Sequence, residues 1–209
     1  LPYYRAMGEL TRSNMQNGRA GANTTYYSCF DPEAMTIVGL RNPLSPPEKR
    51  IAMIDYAFVT TALFDRKAAN NEEVFVFNTY TAPDLYRAMY SGDNTLFEAL
   101  YHAYEENPAF VKEYVSARDL LLRVLREAYE TGRHYQFFVD TANKQTPFID
   151  PIYSSNLCLE TAFPSEAYYS LESLYVDGPV GYIDCVVSPA DPKRLSEISN
   201  DKDRARLKY

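Results

Sequence analysis

Three reactive side chains occupy alternate positions in the stretch from Ser155 to Glu160, which reads SNLCLE. If this stretch is extended, its period of two puts the amide of Asn156, the thiol of Cys158 and the carboxylate of Glu160 on one face. A thiol beside an amide and a carboxylate suits cysteine-based redox or radical chemistry. Hydrolysis would normally require a histidine base beside the nucleophile.

The two histidines are far from this stretch in sequence. The surrounding patterns predict His102 on a helix surface and His134 at the start of a strand, and neither has metal-ligand spacing, so both are predicted to be structural. We therefore expect no metal site in this chain. A cysteine hydrolase with His134 as its base stays open as an alternative. Cys29 is predicted to be a packed core thiol.

A second informative stretch runs from Gln16 to Tyr27 and reads QNGRAGANTTYY. Its two glycines permit backbone conformations that are closed to other residues. Further stretches are RIAMIDY from Arg50, TGRHY from Thr131 and TPF from Thr146. Together with SNLCLE, and in this order, they resemble the large catalytic subunit of ribonucleotide reductase, most closely the aerobic class I type. The resemblance extends from about residue 4 to residue 185.

The resemblance implies a role for each matching residue. Cys158 corresponds to the cysteine that becomes a transient thiyl radical and removes the 3′ hydrogen of a ribonucleotide. Glu160 corresponds to the general base that takes the 3′-hydroxyl proton, and Asn156 to an amide that holds the geometry of the same site. Cys185, in the stretch YIDC, corresponds to one of two cysteines whose oxidation to a disulfide supplies two electrons.

The glycine-rich loop of this family lies between the nucleotide effector and the substrate. The resemblance therefore assigns Arg19, Gly21 and Ala22 to contacts with the effector or the substrate base, although the loop is one residue shorter here. No cofactor is expected on this chain. In the family the radical comes from a metal-containing small subunit, or from adenosylcobalamin in class II, and thioredoxin or glutaredoxin restores the thiols.

The sequence departs from the family pattern at several places. The redox partner of Cys185 would precede Leu1, and Cys29 follows the glycine-rich loop at a position without a redox role in the family. The N-terminal activity domain, the first part of the barrel, the downstream phosphate-binding loop, the radical-transfer tyrosine pair and the C-terminal cysteine pair are also not in the sequence. We expect a split-gene product, as in some viral genomes, an expressed fragment or a trimmed chain, which needs complementary chains.

Composition limits the remaining possibilities. The 209 residues, 46% of them hydrophobic, suffice for one sizeable core. The formal net charge of −7 argues against nonspecific binding to nucleic acid. Three cysteines without a signal-like or membrane-spanning run favour the cytoplasm, or the host cytoplasm for a viral protein.

The pattern along the chain predicts alternating helices and buried strands, and hence a parallel α/β arrangement. The predicted elements, in order, are a helix over 1–15, a strand and short helix within 26–40, a helix with a strand-like start over 51–64, a strand over 74–77, helices over 81–90, 95–106 and 111–131, and strands over 134–140 and 155–163. The resemblance narrows this to part of a ten-stranded α/β barrel over 1–185, with Cys158 on a loop or strand tip inside it. Residues 186–209 are predicted to be an unmatched polar tail, solvated as a helix or disordered, with a docking element as the alternative.

Two functions from different classes remain. The first is a component of a catalytic subunit that reduces ribonucleotides to deoxyribonucleotides. The second is a noncatalytic remnant that serves as an assembly or interaction module.

Overall fold

The fold is a mixed arrangement of seven helices and five strands in the part of the chain that the structure describes. The computed structural model describes residues 2–148 and 150–164. The helices are α1 (Pro2–Ser13), α2 (Ala34–Ile37), α3 (Ala62–Ala69), α4 (Pro83–Met89), α5 (Asn94–Glu106), α6 (Ala117–Thr131) and α7 (Val139–Gln145). The strands are β1 (Thr24–Ser28), β2 (Asp55–Thr60), β3 (Glu73–Val76), β4 (Glu113–Ser116) and β5 (His134–Phe138).

A parallel sheet in the order β1-β2-β5 forms the centre of the molecule. Thr24 of β1 pairs with Asp55 of β2, and Ala57 of β2 pairs with Tyr135 of β5. All six residues of β2 are buried, as expected for a central strand covered on both faces. The other strands, β3 and β4, form a separate antiparallel pair.

The hydrophobic core is rich in aromatic rings and lies between the sheet and the helices. Phe30 is fully buried and contacts four rings within 6.1 Å, centroid to centroid. These rings belong to Phe64, Phe77, Phe97 and Tyr101. Because neighbouring rings of this kind bury large areas in fixed relative orientations, they hold α3, α5 and the chain after β3 around the end of β1.

Local sequence signals explain where the helices begin and end. The hydroxyl of Ser116 accepts a hydrogen bond from the amide of Asp119 at the start of α6, and Gly132 ends that helix in the left-handed conformation with φ of 64°. Thr61 and Asp93 cap α3 and α5 in the same way as Ser116. The predicted C-terminal cap at Gly132 is confirmed.

Most predicted elements are confirmed, and the errors fall where strand and helix patterns look alike. Residues 51–64, which could be helix or strand, were predicted as a helix with a strand-like start. The strand-like start is confirmed by β2, but the helix begins only at Ala62, because the continuous apolar run before it is a central parallel strand. The helix predicted over 111–131 begins only at Ala117, since residues 113–116 pair with β3. The strand predicted over 134–140 ends at Phe138, where α7 begins.

The predicted strand over 155–163 is also wrong. Residues 157 and 158 form a turn, and Leu159 has a φ of +65°, which no extended strand contains. The expectation of a parallel α/β fold is confirmed by the β1-β2-β5 sheet. The described strands form an open sheet rather than a closed barrel. The predicted tail over 186–209 lies outside the described residues.

Candidate functional site

The thiol of Cys158 lies on a compact turn that closes on itself. The backbone amide of Asn156 donates to the carbonyl of Thr161 at 3.1 Å, and the amide of Leu159 donates back to the carbonyl of Asn156 at 3.3 Å. The hydroxyl of Ser155 donates to the same Thr161 carbonyl at 2.7 Å. We call residues 155–161 the cysteine turn.

The cysteine turn exposes its three reactive side chains together. Asn156, Cys158 and Glu160 are exposed, whereas Leu157 and Leu159 are partly buried. The predicted separation of polar and apolar side chains is therefore present, although the backbone that produces it is a turn and not a strand. A free thiol, a carboxylate and an amide are available to a ligand from solvent.

The side chain of Asn156 helps to close the turn. Its Oδ1 accepts hydrogen bonds from the backbone amide of Thr161 at 2.9 Å and from the hydroxyl of Ser155 at 3.1 Å. An amide side chain has one acceptor oxygen and two N–H donors. Because the oxygen is engaged in closing the turn, the Nδ2 donors are what Asn156 can offer to a ligand.

Two side chains of β1 attach the cysteine turn to the parallel sheet. The hydroxyl of Thr24 donates to the carbonyl of Leu157 at 3.1 Å, and the hydroxyl of Tyr26 donates to the carbonyl of Asn156 at 3.1 Å. Residues two apart on a strand point to the same face, so the turn lies over one face of β1. Neither contact was predicted from the sequence, because each joins residues that are 130 or more positions apart.

His134 lies on the opposite face of the sheet from the cysteine turn. Its Nε2 and the hydroxyl of Tyr27 share a hydrogen bond of 2.7 Å, and Tyr27 points away from the face on which Tyr26 lies. Burial lowers the pKa of His134 to about 4. The cysteine hydrolase interpretation is therefore wrong, because the imidazole cannot reach Cys158.

The other candidates for a packed or surface role occupy the predicted environments. Cys29 is fully buried, and burial raises the pKa of its thiol well above its usual value. His102 is exposed on α5, where its Nδ1 lies 3.1 Å from a carboxylate oxygen of Glu105. Cys185 lies outside the described residues. Within residues 2–148 and 150–164, no cluster of three or more His, Cys, Asp or Glu side chains could hold a metal ion.

The glycine-rich loop begins with a tight hairpin turn. The backbone amides and carbonyls of Gln16 and Arg19 exchange two hydrogen bonds of 3.0 Å around Asn17 and Gly18, whose φ angles are 50° and 81°. Two successive residues with positive φ define the turn type that the Asn-Gly pair favours. The exposed Arg19 follows this turn at the surface.

Gly21 brings the second half of the loop against the C-terminal end of α1. A Cβ atom at Gly21 would lie 2.4 Å from the carbonyl oxygen of Thr11, so only glycine fits this approach. A cleft of about 310 Å³ opens between α1 and the loop, and Gly21, Ala22 and Asn23 form its loop side. Arg19 is not among the residues that line this cleft.

The loop and the cysteine turn meet at the first residue of β1. The loop ends at Asn23, and the next residue, Thr24, carries the hydroxyl that binds the turn. Two segments that are about 130 residues apart in sequence are thus adjacent in space. Both segments were singled out from the sequence, but their contact with each other was not predicted.

Comparisons with known proteins agree with this arrangement. The family model described as ribonucleotide reductase, barrel domain, matches residues 1–176. The chain belongs to this ribonucleotide reductase family. Among its relatives are chains named ribonucleoside-diphosphate reductase subunit alpha. That of Buchnera aphidicola subsp. Acyrthosiphon pisum is 29% identical over 211 residues, which cover 99% of this chain and 27% of the relative.

Two further relatives have similar identities. The ribonucleoside-diphosphate reductase 1 subunit alpha of Escherichia coli is 32% identical over 170 residues, with 79% of this chain and 22% of the relative covered. The ribonucleoside-diphosphate reductase subunit alpha of Enterobacteria phage T4 is 31% identical over 169 residues, with the same coverage of each chain. This member of the reductase family thus spans about a quarter of the length of these relatives. None of its described helices is both long and apolar enough to cross a membrane.

Proposed function

We propose that this chain supplies the radical-bearing part of a ribonucleotide reductase catalytic subunit. The observation that carries the proposal is the cysteine turn, which presents Cys158, Glu160 and the amide donors of Asn156 to solvent within a chain of the barrel-domain family. The named relatives are ribonucleoside-diphosphate reductases, so the proposed substrate is a ribonucleoside diphosphate.

The proposed reaction gives each reactive group of the turn a role. The Cys158 thiyl radical takes the 3′ hydrogen atom of the ribose, which forms an S–H bond and leaves a carbon radical at C3′. Glu160 accepts the 3′-hydroxyl proton as general base while the 2′ C–O bond breaks. The leaving 2′-hydroxyl takes one proton from the redox thiol pair and departs as water, and Glu160 later returns its proton to the 3′ oxygen. Asn156 donates hydrogen bonds that hold the reacting ribose hydroxyls in place.

The two electrons that reduce the ribose come from a cysteine pair. Cys185 and a second thiol, which this chain would receive from a complementary segment, form a disulfide and deliver two electrons and two protons to the substrate. The Cys158 thiol then returns its hydrogen atom to C3′, so the thiyl radical is regenerated. Thioredoxin or glutaredoxin reduces the disulfide before the next turnover, which is consistent with a cytoplasmic location.

The initial oxidation of Cys158 requires a radical source on another component. We propose a metal-containing small subunit, as in class I reductases, with adenosylcobalamin as the class II alternative. Arg19, Gly21 and Ala22 are proposed to contact the nucleotide effector or the substrate base. For Gly21 and Ala22, the cleft that they line supports this assignment, as does the contact of the cysteine turn with Thr24, the residue that follows the loop.

Reconstitution tests the proposed function. The chain is coexpressed with complementary segments of a catalytic subunit and combined with the small subunit, and deoxyribonucleotide formation is measured. We expect Cys158→Ser to abolish product formation, because an alcohol O–H bond is too strong to be exchanged reversibly for a ribose C–H bond. The matched control is Cys29→Ala, which removes a buried thiol outside the turn and should retain product formation.

The alternative of a noncatalytic remnant makes the opposite prediction. If reconstituted activity survives Cys158→Ser, the chain contributes only to assembly and the proposed chemistry is wrong. The retention of the amide, thiol and carboxylate on one exposed turn favours the catalytic proposal.

A further inference from the structure

Thr24 and Tyr26 bind two successive carbonyl groups of the cysteine turn. The Thr24 hydroxyl reaches the carbonyl of Leu157, and the Tyr26 hydroxyl reaches that of Asn156, each at 3.1 Å. These two carbonyls directly precede Cys158 in the chain. Hydrogen bonds at this point fix the distance from β1 and the orientation of the peptide that carries the thiol.

The strand that provides these hydroxyls is itself firmly held. Residues 24–28 pair in register with β2, and the ring of Tyr26 packs edge-on against Phe137 of β5 at 5.7 Å between centroids. The anchor therefore involves all three strands of the sheet. The turn, by contrast, has several exposed residues and closes mainly through hydrogen bonds of its own.

Tyr26 stays a hydrogen-bond donor under physiological conditions. Burial raises the pKa of its hydroxyl above the usual value of 10, and hydrogen bonds with Ser155 oppose this only in part. The Thr24 hydroxyl does not ionise in this range. Both hydroxyls therefore keep the proton that they donate near neutral pH.

We propose that Thr24 and Tyr26 are positioning residues that hold the Cys158 turn at a fixed place over β1. This inference builds on the proposed function, because hydrogen abstraction requires the sulfur to lie at a defined distance from the ribose. Loosening the turn should reduce the rate of the chemical step more than the binding of the nucleotide. Because Thr24 directly follows the glycine-rich loop, the same contacts fix the thiol relative to that loop.

Hydrogen exchange tests the contacts in the 209-residue chain without reference to activity. The amides of Asn156 and Leu159 are hydrogen-bonded within the turn and report its opening. We expect Tyr26→Phe and Thr24→Val to speed their exchange by about two- to fivefold, the effect of losing one partly exposed hydrogen bond. Thr24→Ser keeps the hydroxyl and should keep the exchange rate of the native chain.

Tyr27→Phe is the matched control. It makes the same chemical change on the same strand and also removes a hydrogen bond, but one to His134 on the opposite face. It should lower the global stability and leave the exchange of the cysteine turn relative to the rest of the chain unchanged. This separates positioning of the turn from a general loss of stability.

Kinetics of the reconstituted enzyme provide the second measurement. We expect Tyr26→Phe and Thr24→Val to lower kcat with little change in KM, and Thr24→Ser to restore kcat. Unchanged turn exchange in Tyr26→Phe and Thr24→Val, or an absence of protected turn amides in the native chain, overturns the inference. If Tyr26→Phe and Thr24→Val speed turn exchange but activity survives Cys158→Ser, the two contacts are supported and the proposed chemistry is rejected.

Discussion

At the scale of single residues, the proposed site includes side chains that have a structural role as well as a proposed chemical one. Asn156 is the clearest case, because its Oδ1 closes the cysteine turn while its Nδ2 donors remain for a ligand. A substitution that removes the whole side chain would confound these two functions. The two ends of the amide can be separated by substitution with a side chain of the same shape.

Asn156→Asp should separate the two functions of this residue. A carboxylate keeps the acceptor for the amide of Thr161 and the hydroxyl of Ser155 but lacks both N–H donors. We expect turn amides that exchange as in the native chain, together with at least a tenfold lower kcat in the reconstituted enzyme, since losing a transition-state hydrogen bond of about 1.4 kcal/mol costs a factor of ten.

Asn156→Ala is the comparison for that prediction. It removes acceptor and donors, so both the protection of the turn and kcat should fall. If Asn156→Asp exposes the turn to exchange as fully as Asn156→Ala does, the Oδ1 contacts are not what closes the turn. If Asn156→Asp leaves kcat unchanged, the Nδ2 donors do not take part in the chemical step.

At the scale of secondary-structure elements, the two faces of the parallel sheet have different tasks. Thr24 and Tyr26 face the cysteine turn, whereas Tyr27 faces His134 across the neighbouring strand β2. The Tyr27–His134 hydrogen bond thus connects the two outer strands of the sheet. Its buried imidazole is neutral near pH 7, since burial lowers its pKa to about 4.

The stability of the sheet should consequently decrease as the pH falls from about 6.5 towards 4. In this interval the unfolded chain binds a proton at His134 and the folded chain does not, so protonation favours unfolding. The lowering of the pKa from 6.5 to about 4 corresponds to a loss on the order of 3 kcal/mol. Urea denaturation of the chain at a series of pH values measures this loss.

His134→Gln removes the titrating group and should flatten that part of the pH dependence. Asp31 and Asp65 have pKa values raised by burial, so their contributions have the opposite sign, but they are common to both chains. The difference between the two stability curves therefore isolates His134. Parallel curves between pH 6.5 and 4 would show that the imidazole is not buried in solution.

The elements also show what the sequence could and could not predict. Caps and turns with local causes were predictable, as at Gly132, because one residue determines the conformation. The sequence could not show that β2 is a strand, because an apolar run such as that from Tyr56 to Val59 suits a buried helix as well as a central strand. The run is a strand because it pairs with β1 on one side and β5 on the other.

The prediction of a strand at the cysteine turn was wrong for a related reason. Alternation of polar and apolar residues predicted an extended stretch, but local hydrogen bonds among residues 155–161 close it into a turn. Two residues about 130 positions away then attach this turn to β1. The chemical identity of Asn156, Cys158 and Glu160 was readable from the sequence and from the family resemblance. Their attachment to Thr24 and Tyr26 was not, because it depends on the tertiary fold.

At the scale of the whole molecule, the described sheet has two free edges. Within residues 2–148 and 150–164, β1 and β5 each pair with β2 alone, so each presents an outer row of backbone donors and acceptors. The side chain of Phe138 at the end of β5 is 46% exposed. Open edges beside apolar side chains are templates for pairing with another chain.

We therefore expect the isolated 209-residue chain to self-associate and a complementary catalytic segment to suppress this. Light scattering coupled to size-exclusion chromatography should show a mass that rises with concentration for the chain alone and a defined complex with the segment. Phe138→Lys places a charge at the β5 edge and should reduce self-association, since a charge there disfavours strand pairing. Tyr129→Lys adds the same charge on α6, where the native side chain is 92% exposed, and should leave self-association nearly unchanged. If both substitutions reduce self-association equally, the cause is the overall charge and not the sheet edge. If only Phe138→Lys reduces it, the free edge of the sheet is the surface that a complementary segment must cover.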